Sequence, residues 1–209
     1  MKRIILLALC LIIMTVSAFA QDKAIGGGVM YNNTSTKMEY SGSGFNEEYT
    51  LKRNGFGAFA FFGLGRFLEL NLGFMYKNPY ELNYSISSDD YGSESGTITD
   101  LGTYIEGTSA LQLGAYFKYP IPINDTLVFF PTGGADFELS LNSNETDFGK
   151  WWHDLWLRAG VGLDIFLNEK TFLRAHALYG AAIPVGGDVD MGLKFGHGLL
   201  IKFGIGFML

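Results

Sequence analysis

Leu199-Leu200-Ile201-Lys202-Phe203-Gly204-Ile205-Gly206-Phe207-Met208-Leu209 closes the chain, and its alternation decides the fold. Leu199, Ile201, Phe203, Ile205, Phe207 and Leu209 share one parity; Lys202, Gly204 and Gly206 share the other. In a strand, successive side chains leave on opposite faces, so one face is continuously apolar and the other small or charged. The same period-two pattern recurs upstream. Leu68, Leu70, Leu72, Phe74 and Tyr76 oppose Glu69, Asn71 and Gly73, and Leu111, Leu113, Ala115, Phe117 and Tyr119 oppose Gln112, Gly114 and Lys118. It continues through 135–141, 155–167 and 173–179, and less cleanly through 24–32 and 51–62, where both parities of the second segment carry apolar residues. Eight strands are predicted.

Composition agrees. With 28 Gly, 15% aromatic and 17% charged residues in 209, the chain suits short strands better than a helical bundle. Fifteen basic residues against 21 acidic give a net charge of -6, which excludes a sequence-independent nucleic-acid binder. Lys2 and Arg3 precede an apolar run from Ile4 to Val16, and Ala18-Phe19-Ala20 places small residues where a signal peptidase reads them. Residues 1–20 are therefore expected to be a secretory leader cleaved after Ala20, and 21–209 a single domain. The sole Cys, Cys10, leaves with the leader, so neither disulfides nor thiol chemistry is expected in the mature chain.

The connections alternate as well. Residues 63–66, 120–126 and 168–170 are short, whereas 33–50, 78–108, 143–150 and 184–197 are generally longer and polar. An even number of antiparallel strands, each with about ten alternating residues, with short turns at one end and long loops at the other, predicts an all-β, eight-stranded up-and-down transmembrane barrel. A secreted ligand-carrier barrel shows the same alternation, with its polar face in water. The polar parity decides between them: it mixes many Gly with a few charges of both signs, as a narrow lumen requires, and lacks the dense Lys, Glu, Ser and Thr of a solvated face. Tyr31, Tyr76, Tyr119, Trp151 and Tyr179 fall near strand ends, where interfacial girdles form.

The pattern resembles the small eight-stranded outer-membrane barrels of the OmpA, OmpX and OmpW kind. The likeness is sharpest at Gly160-Val161-Gly162-Leu163-Asp164, Asn168-Glu169-Lys170, Leu173-Arg174 and the terminal Gly204-Ile205-Gly206-Phe207-Met208-Leu209. It implies the outer membrane of a diderm bacterium, contact with membrane lipid, and insertion by the barrel-assembly machinery, which reads such a terminal strand. Two positions depart from the family's habit: Phe203 stands where a polar residue is usual, and Leu209 replaces a terminal aromatic.

Catalytic chemistry is not expected. His153, His176 and His197 lack ligand spacing, and none has a Ser two residues later; no metal and no cofactor are expected. The lumen parity instead collects five acids, Glu69, Asp136, Glu138, Asp154 and Asp164, with four bases, Lys118, Arg158, Arg174 and Lys202. Near balance in a narrow lumen points to pairing. Glu69, Lys118, Asp164, Arg174 and Lys202 lie close to the short-turn end and are expected to form one layer. A gated pore and a structural plug both follow from such a set; eight strands leave little free space, which favours the plug. Trp152 and Trp156 share the lumen parity, either capping the lumen or, in an OmpW-like reading, lining a conduit for small hydrophobic molecules.

Surface function is expected in the loops. Residues 78–108 carry Glu81, Asp89, Asp90, Glu94, Asp100 and Glu106 and no Lys or Arg. The outward parity continues through Tyr80, Leu82, Tyr84 and Ile86 and returns through Leu101, Thr103 and Ile105. One reading is a ribbon beyond the membrane, with its tip within Ser87–Gly96; the other is a solvated acidic loop. The acids would engage an extracellular protein partner or divalent cations.

Overall fold

The computed structural model describes residues 23–42, 45–79, 81–88, 92–98, 108–141, 153–185 and 196–209. The segment 1–20, expected to be a leader, lies outside the described residues. The described chain is entirely strands and turns: β1 (Ala24–Gly42), β2 (Phe45–Leu64), β3 (Leu68–Lys77), β4 (Glu81–Ser88), β5 (Gly92–Ile98), β6 (Thr108–Lys118), β7 (Ile121–Pro122), β8 (Leu127–Ser140), β9 (His153–Phe166), β10 (Thr171–Val185) and β11 (Gly196–Met208). Eight of them, β1, β2, β3, β6, β8, β9, β10 and β11, pair antiparallel in a ring that closes where β1 meets both β2 and β11. Closure satisfies every ladder group without an edge, the condition for crossing lipid with strands.

Side chains follow the alternation. Along β3, Glu69, Asn71, Met75 and Lys77 are buried, while Leu70, Leu72, Phe74 and Tyr76 are exposed on the outside. Along β11, Leu200 and Lys202 turn inward and Leu199, Phe203, Ile205 and Phe207 outward. The exposed apolar belt is the surface that lipid covers. Tyr76 and Tyr119 stand exposed on it near strand ends, whereas Tyr179, equally exposed, lies midway along β10 and not at its end; the Tyr31 hydroxyl donates to Asn54 Oδ1 at 3.0 Å where the belt gives way to polar residues. Trp151 lies outside the described residues. The short-turn end is tight; Gly65 takes φ 69°, a left-handed conformation that favours glycine.

The structure corrects three sequence expectations. Residues 33–42 and 45–50 are strand and not loop: β1 and β2 continue paired from Asn33↔Asn54 out to Gly42↔Phe45. Strand β8 begins at Leu127, well before the alternation that starts at Ala135, because Pro131, Gly133 and Gly134 interrupt the pattern without interrupting the ladder. Finally, the ribbon strand β4 finds its partner in β5, Leu82↔Ile98 through Ser88↔Gly92; the partners expected for it, residues 101–105, lie outside the described residues.

Beyond the barrel, β1, β2, β4 and β5 form a four-stranded sheet, with β4 paired to β2 from Phe45↔Ser88 to Lys52↔Glu81. From the Lys77↔Gly55 pair to the Lys52↔Glu81 pair the chain advances four residues on the β3–β4 side and three on the β2 side. One extra residue is a β-bulge, and it exchanges the two faces of everything after it. Pro79 sits within it, where a missing N–H costs little. Leu82, Tyr84 and Ile86 thus lie on the face that continues the lumen, beside Leu51 and Tyr49, and not on the outward face that their parity predicts.

Candidate functional site: the lumen network and the surface sheet

Close packing inside the ring comes from glycine set against large side chains. A Cβ on Gly162 would overlap the Phe130 ring, and one on Gly206 would overlap Phe172. Phe61, Phe130 and Phe172, all buried, thereby reach the centre of the short-turn end.

Arg174 lies among them. Its Nε and Nη2 donate to the two carboxylate oxygens of Asp164, each at 2.6 Å, and its Nη1 donates to Glu69. Its guanidinium carbon is 4.5 Å from the Phe61 ring centre and 4.7 Å from that of Phe172. In ring order β3 stands opposite β10, so the Glu69–Arg174 pair crosses the lumen from wall to wall. Lys118 Nζ is 3.5 Å from Glu69, and Asn71 Nδ2 donates to Glu69 at 3.0 Å.

Lys202 joins this group through Asn71 and without a direct ion pair to an acid. Its ammonium donates to Asn71 Oδ1 at 3.3 Å and lies 4.8 Å from the Tyr116 ring, so an amide and aromatic faces hold it. A second group occupies the long-loop half. There Asp136 accepts from the Tyr116 hydroxyl and pairs with Arg158 at 3.0 Å, Arg158 lies 4.2 Å from the Trp156 ring, and Lys77 pairs with Glu138. Asp154 faces Glu138 across the β8–β9 ladder and is half-buried.

Sequence reading missed Arg53, Lys77 and Tyr116 in the lumen, all of them buried. Gln112 and His176, which the alternation places on the lumen parity, are buried as well. Lys77 shares its parity with Glu69, so the alternation already contained it; Arg53 was hidden by the mixed pattern of 51–62. With them, the buried described charges are six bases and four acids, not four and five. The imidazole of His176 meets the edge of Phe130 at 5.2 Å, and His197 packs 6.1 Å from Tyr179. Among the described residues no cluster of His, Cys, Asp and Glu has the arrangement of a metal site.

On the surface sheet, Glu81 is the first β4 residue, just after the bulge, and Glu94 lies in β5; both are exposed. Asp89, Asp90, Asp100 and Glu106 lie outside the described residues, as does Trp152. The face continuing the lipid belt is polar: Lys37 pairs with Glu48 at 2.7 Å and Thr97 donates to Asn83 at 2.7 Å. The opposite face carries Leu51, Leu82 and Ile98 in one cross-strand row and Tyr49, Tyr84 and Gly96 in the next.

Among solved structures, the chain is similar to the outer membrane protein OprG from Pseudomonas aeruginosa, at 13% identity and a TM-score of 0.45 over 91% of this chain and 96% of that one. It is also similar to Ail, the attachment invasion locus protein of Yersinia pestis, at 13% identity and 0.38 over 90% and 98%. A third is the Escherichia coli outer membrane protein W, at 13% identity and 0.34 over 87% and 98%. No curated protein sequence matches the chain. A family model, the outer membrane protein beta-barrel domain, matches residues 6–207, and the chain belongs to that family of the outer membrane.

Proposed function

We propose that the barrel is a closed anchor and that the four-stranded sheet above it is a surface for recognising a protein partner. The sheet itself carries this reading: β1, β2, β4 and β5 extend past the ring, and among the described residues β5 is paired on one side only. An unpaired strand edge is a template for another chain. The acids of residues 78–108 favour a basic partner, or a divalent cation bridging to one. The lumen charges Glu69, Asp164, Arg174, Lys118, Asp136, Glu138, Asp154, Arg158 and Lys202 serve as a plug in this reading, since a wall-to-wall ion pair flanked by rings leaves no continuous aqueous path. Export with cleavage after Ala20 and insertion through the terminal strand by the assembly machinery complete it, and mass measurement of the mature N-terminus checks the first.

The test has two arms. In planar bilayers the chain is expected to show no steady conductance; ohmic channels, or uptake of small apolar solutes into vesicles, would favour the conduit reading instead. On whole cells, deleting residues 87–96 is expected to leave the heat-modifiable barrel band on gels intact while removing binding to basic peptides displayed on an array. Retained binding would show that the sheet is not the recognition element.

A further inference from the structure

The bulge fixes what kind of partner strand the open edge fits, an inference that rests on the surface-recognition reading above. Because residues 78–80 exchange the faces, the sheet presents its apolar side chains on the side continuing the lumen and its polar ones on the side continuing the lipid belt. Along β5 the lumen-side positions are Ile98, Gly96 and Glu94, rising from the membrane toward the tip. Each extends a cross-strand row. Ile98 follows Leu51 and Leu82; Gly96 follows Tyr49 and Tyr84; Glu94 follows Glu47 and Ile86. Ile98 is 43% exposed, so its row ends on an uncovered apolar side chain. Gly96 has no side chain, and the end of the Tyr84 ring takes the place of one, the hydroxyl lying 2.6 Å from where a Cβ would stand. The ring is thereby carried toward the open edge. Glu94 shares its row with a second carboxylate, Glu47, which accepts from the Tyr49 hydroxyl at 2.9 Å.

We propose that β5 accepts an extended segment of a partner polypeptide as a fifth strand, and that this segment places an apolar, an aromatic and a basic side chain beside Ile98, Gly96 and Glu94. Main-chain hydrogen bonds supply the attachment, and alternate side chains supply the selection. The apolar residue covers Ile98, the aromatic packs on the ring of Tyr84 where it lies over Gly96, and the basic residue pairs with Glu94. The other parity of the partner faces water beside Ser93, Ser95 and Thr97 and is free to be polar. Running antiparallel to β5, the segment reads apolar, polar, aromatic, polar, basic from its N-terminus.

The full chain in lipid nanodiscs, titrated with a fluorescent peptide Thr-Ile-Thr-Trp-Thr-Arg-Thr, tests this. Saturable binding is expected. A peptide of the same composition with the three large residues made consecutive is expected to bind about tenfold more weakly, because three cross-strand pairs are lost. Methylating alternate backbone nitrogens is expected to abolish binding in one phase and spare it in the other, which attachment through side chains alone does not produce. Glu94→Arg is expected to weaken this peptide and to favour its Arg-to-Glu counterpart. If both arrangements bind equally yet the 87–96 deletion abolishes binding, the surface reading stands and the row-by-row selection is overturned. If neither binds, and the deletion leaves whole-cell adhesion unchanged, the surface reading falls. Doubling of the particle mass through β5, competing with the peptide, would make the occupant a second copy and overturn the proposal.

Discussion

The barrel and the sheet above it are made of the same strands, β1 and β2 running through both, yet they are chemically inverted. In the barrel the outer face is Val29, Phe56, Phe74 and Phe203, all exposed, and the inner face holds Glu69, Asp164 and Arg174. In the sheet the outer face is Lys37, Glu48, Asn83 and Thr97, and the inner face is Leu51, Leu82 and Ile98. The solvent explains the difference. Where lipid is outside, apolar side chains must face out and the polar ones must find partners within; where water is outside, the assignment reverses. On β1 and β2 the reversal is written into residue order, while between β3 and β4 it is made by one extra residue at Pro79.

The two regions therefore differ in what a substitution costs, and the largest contrast lies in their ion pairs. Arg174→Ala leaves Asp164 and Glu69 buried without their shared cation and is expected to destabilise the barrel by about 3 kcal/mol or more. Lys37→Ala breaks a pair whose side chains are 50% and 42% exposed and is expected to cost about 0.5 kcal/mol or less. Urea unfolding in lipid vesicles measures both, and equal midpoints would mean that the lumen pair is not desolvated. The glycines differ next. Gly162→Val must displace the buried Phe130 ring, a cost of about 2 kcal/mol, whereas Gly96→Val meets the outer end of the Tyr84 ring, Oη, Cζ and Cε1, in a sheet of half-buried and exposed side chains where the ring swings aside, and is expected to cost about 0.5 kcal/mol or less. Smaller again is Tyr116→Phe, which removes one hydrogen bond to the Asp136 carboxylate but leaves Arg158 in place; about 1.5 kcal/mol is expected in the same assay.

Those contrasts match how much could be read without coordinates. Alternation identified the lipid face and lumen face of β3, β6, β9, β10 and β11, because lipid demands an unbroken apolar parity and leaves it visible. It failed where two demands compete. In 51–62 the lumen-side Phe59 and Phe61 fill space over glycine while Phe56 and Phe62 face out, so both parities are apolar and Arg53 went unnoticed. It also failed in 33–50, where the exchange of lipid for water blurs the period midway along continuous strands. The partners of individual charges were not legible at all, since Glu69 meets Arg174 across 105 residues of sequence and only barrel closure brings them together. The bulge was the subtlest miss: Tyr76, Leu82, Tyr84 and Ile86 keep one parity in sequence while their face changes in space.

Deleting Pro79 addresses that miss with the smallest expected effect of all. It removes the one residue by which the β3–β4 side exceeds the β2 side, so the ladder can run on from Lys77↔Gly55 with Glu81 still opposite Lys52 and Leu82 still opposite Leu51. Leu82, Tyr84 and Ile86 therefore keep the side that continues the lumen, now in step with the inward parity of Lys77. The ring of eight strands does not contain Pro79, so the urea midpoint of the barrel is expected to move by about 0.5 kcal/mol or less. The sheet is expected to hold as well, with amide exchange over residues 81–98 unchanged and a spin label at residue 83 remaining on the water-facing side. Faster exchange over 81–98 together with a label at 83 moved to the side above the lumen would mean that β4 slips by one residue when the bulge is lost, turning its apolar side chains to water, and that the extra residue and not the cross-strand partners sets the faces. A fall in the barrel midpoint comparable to that of Arg174→Ala would mean that sheet and barrel are one cooperative unit.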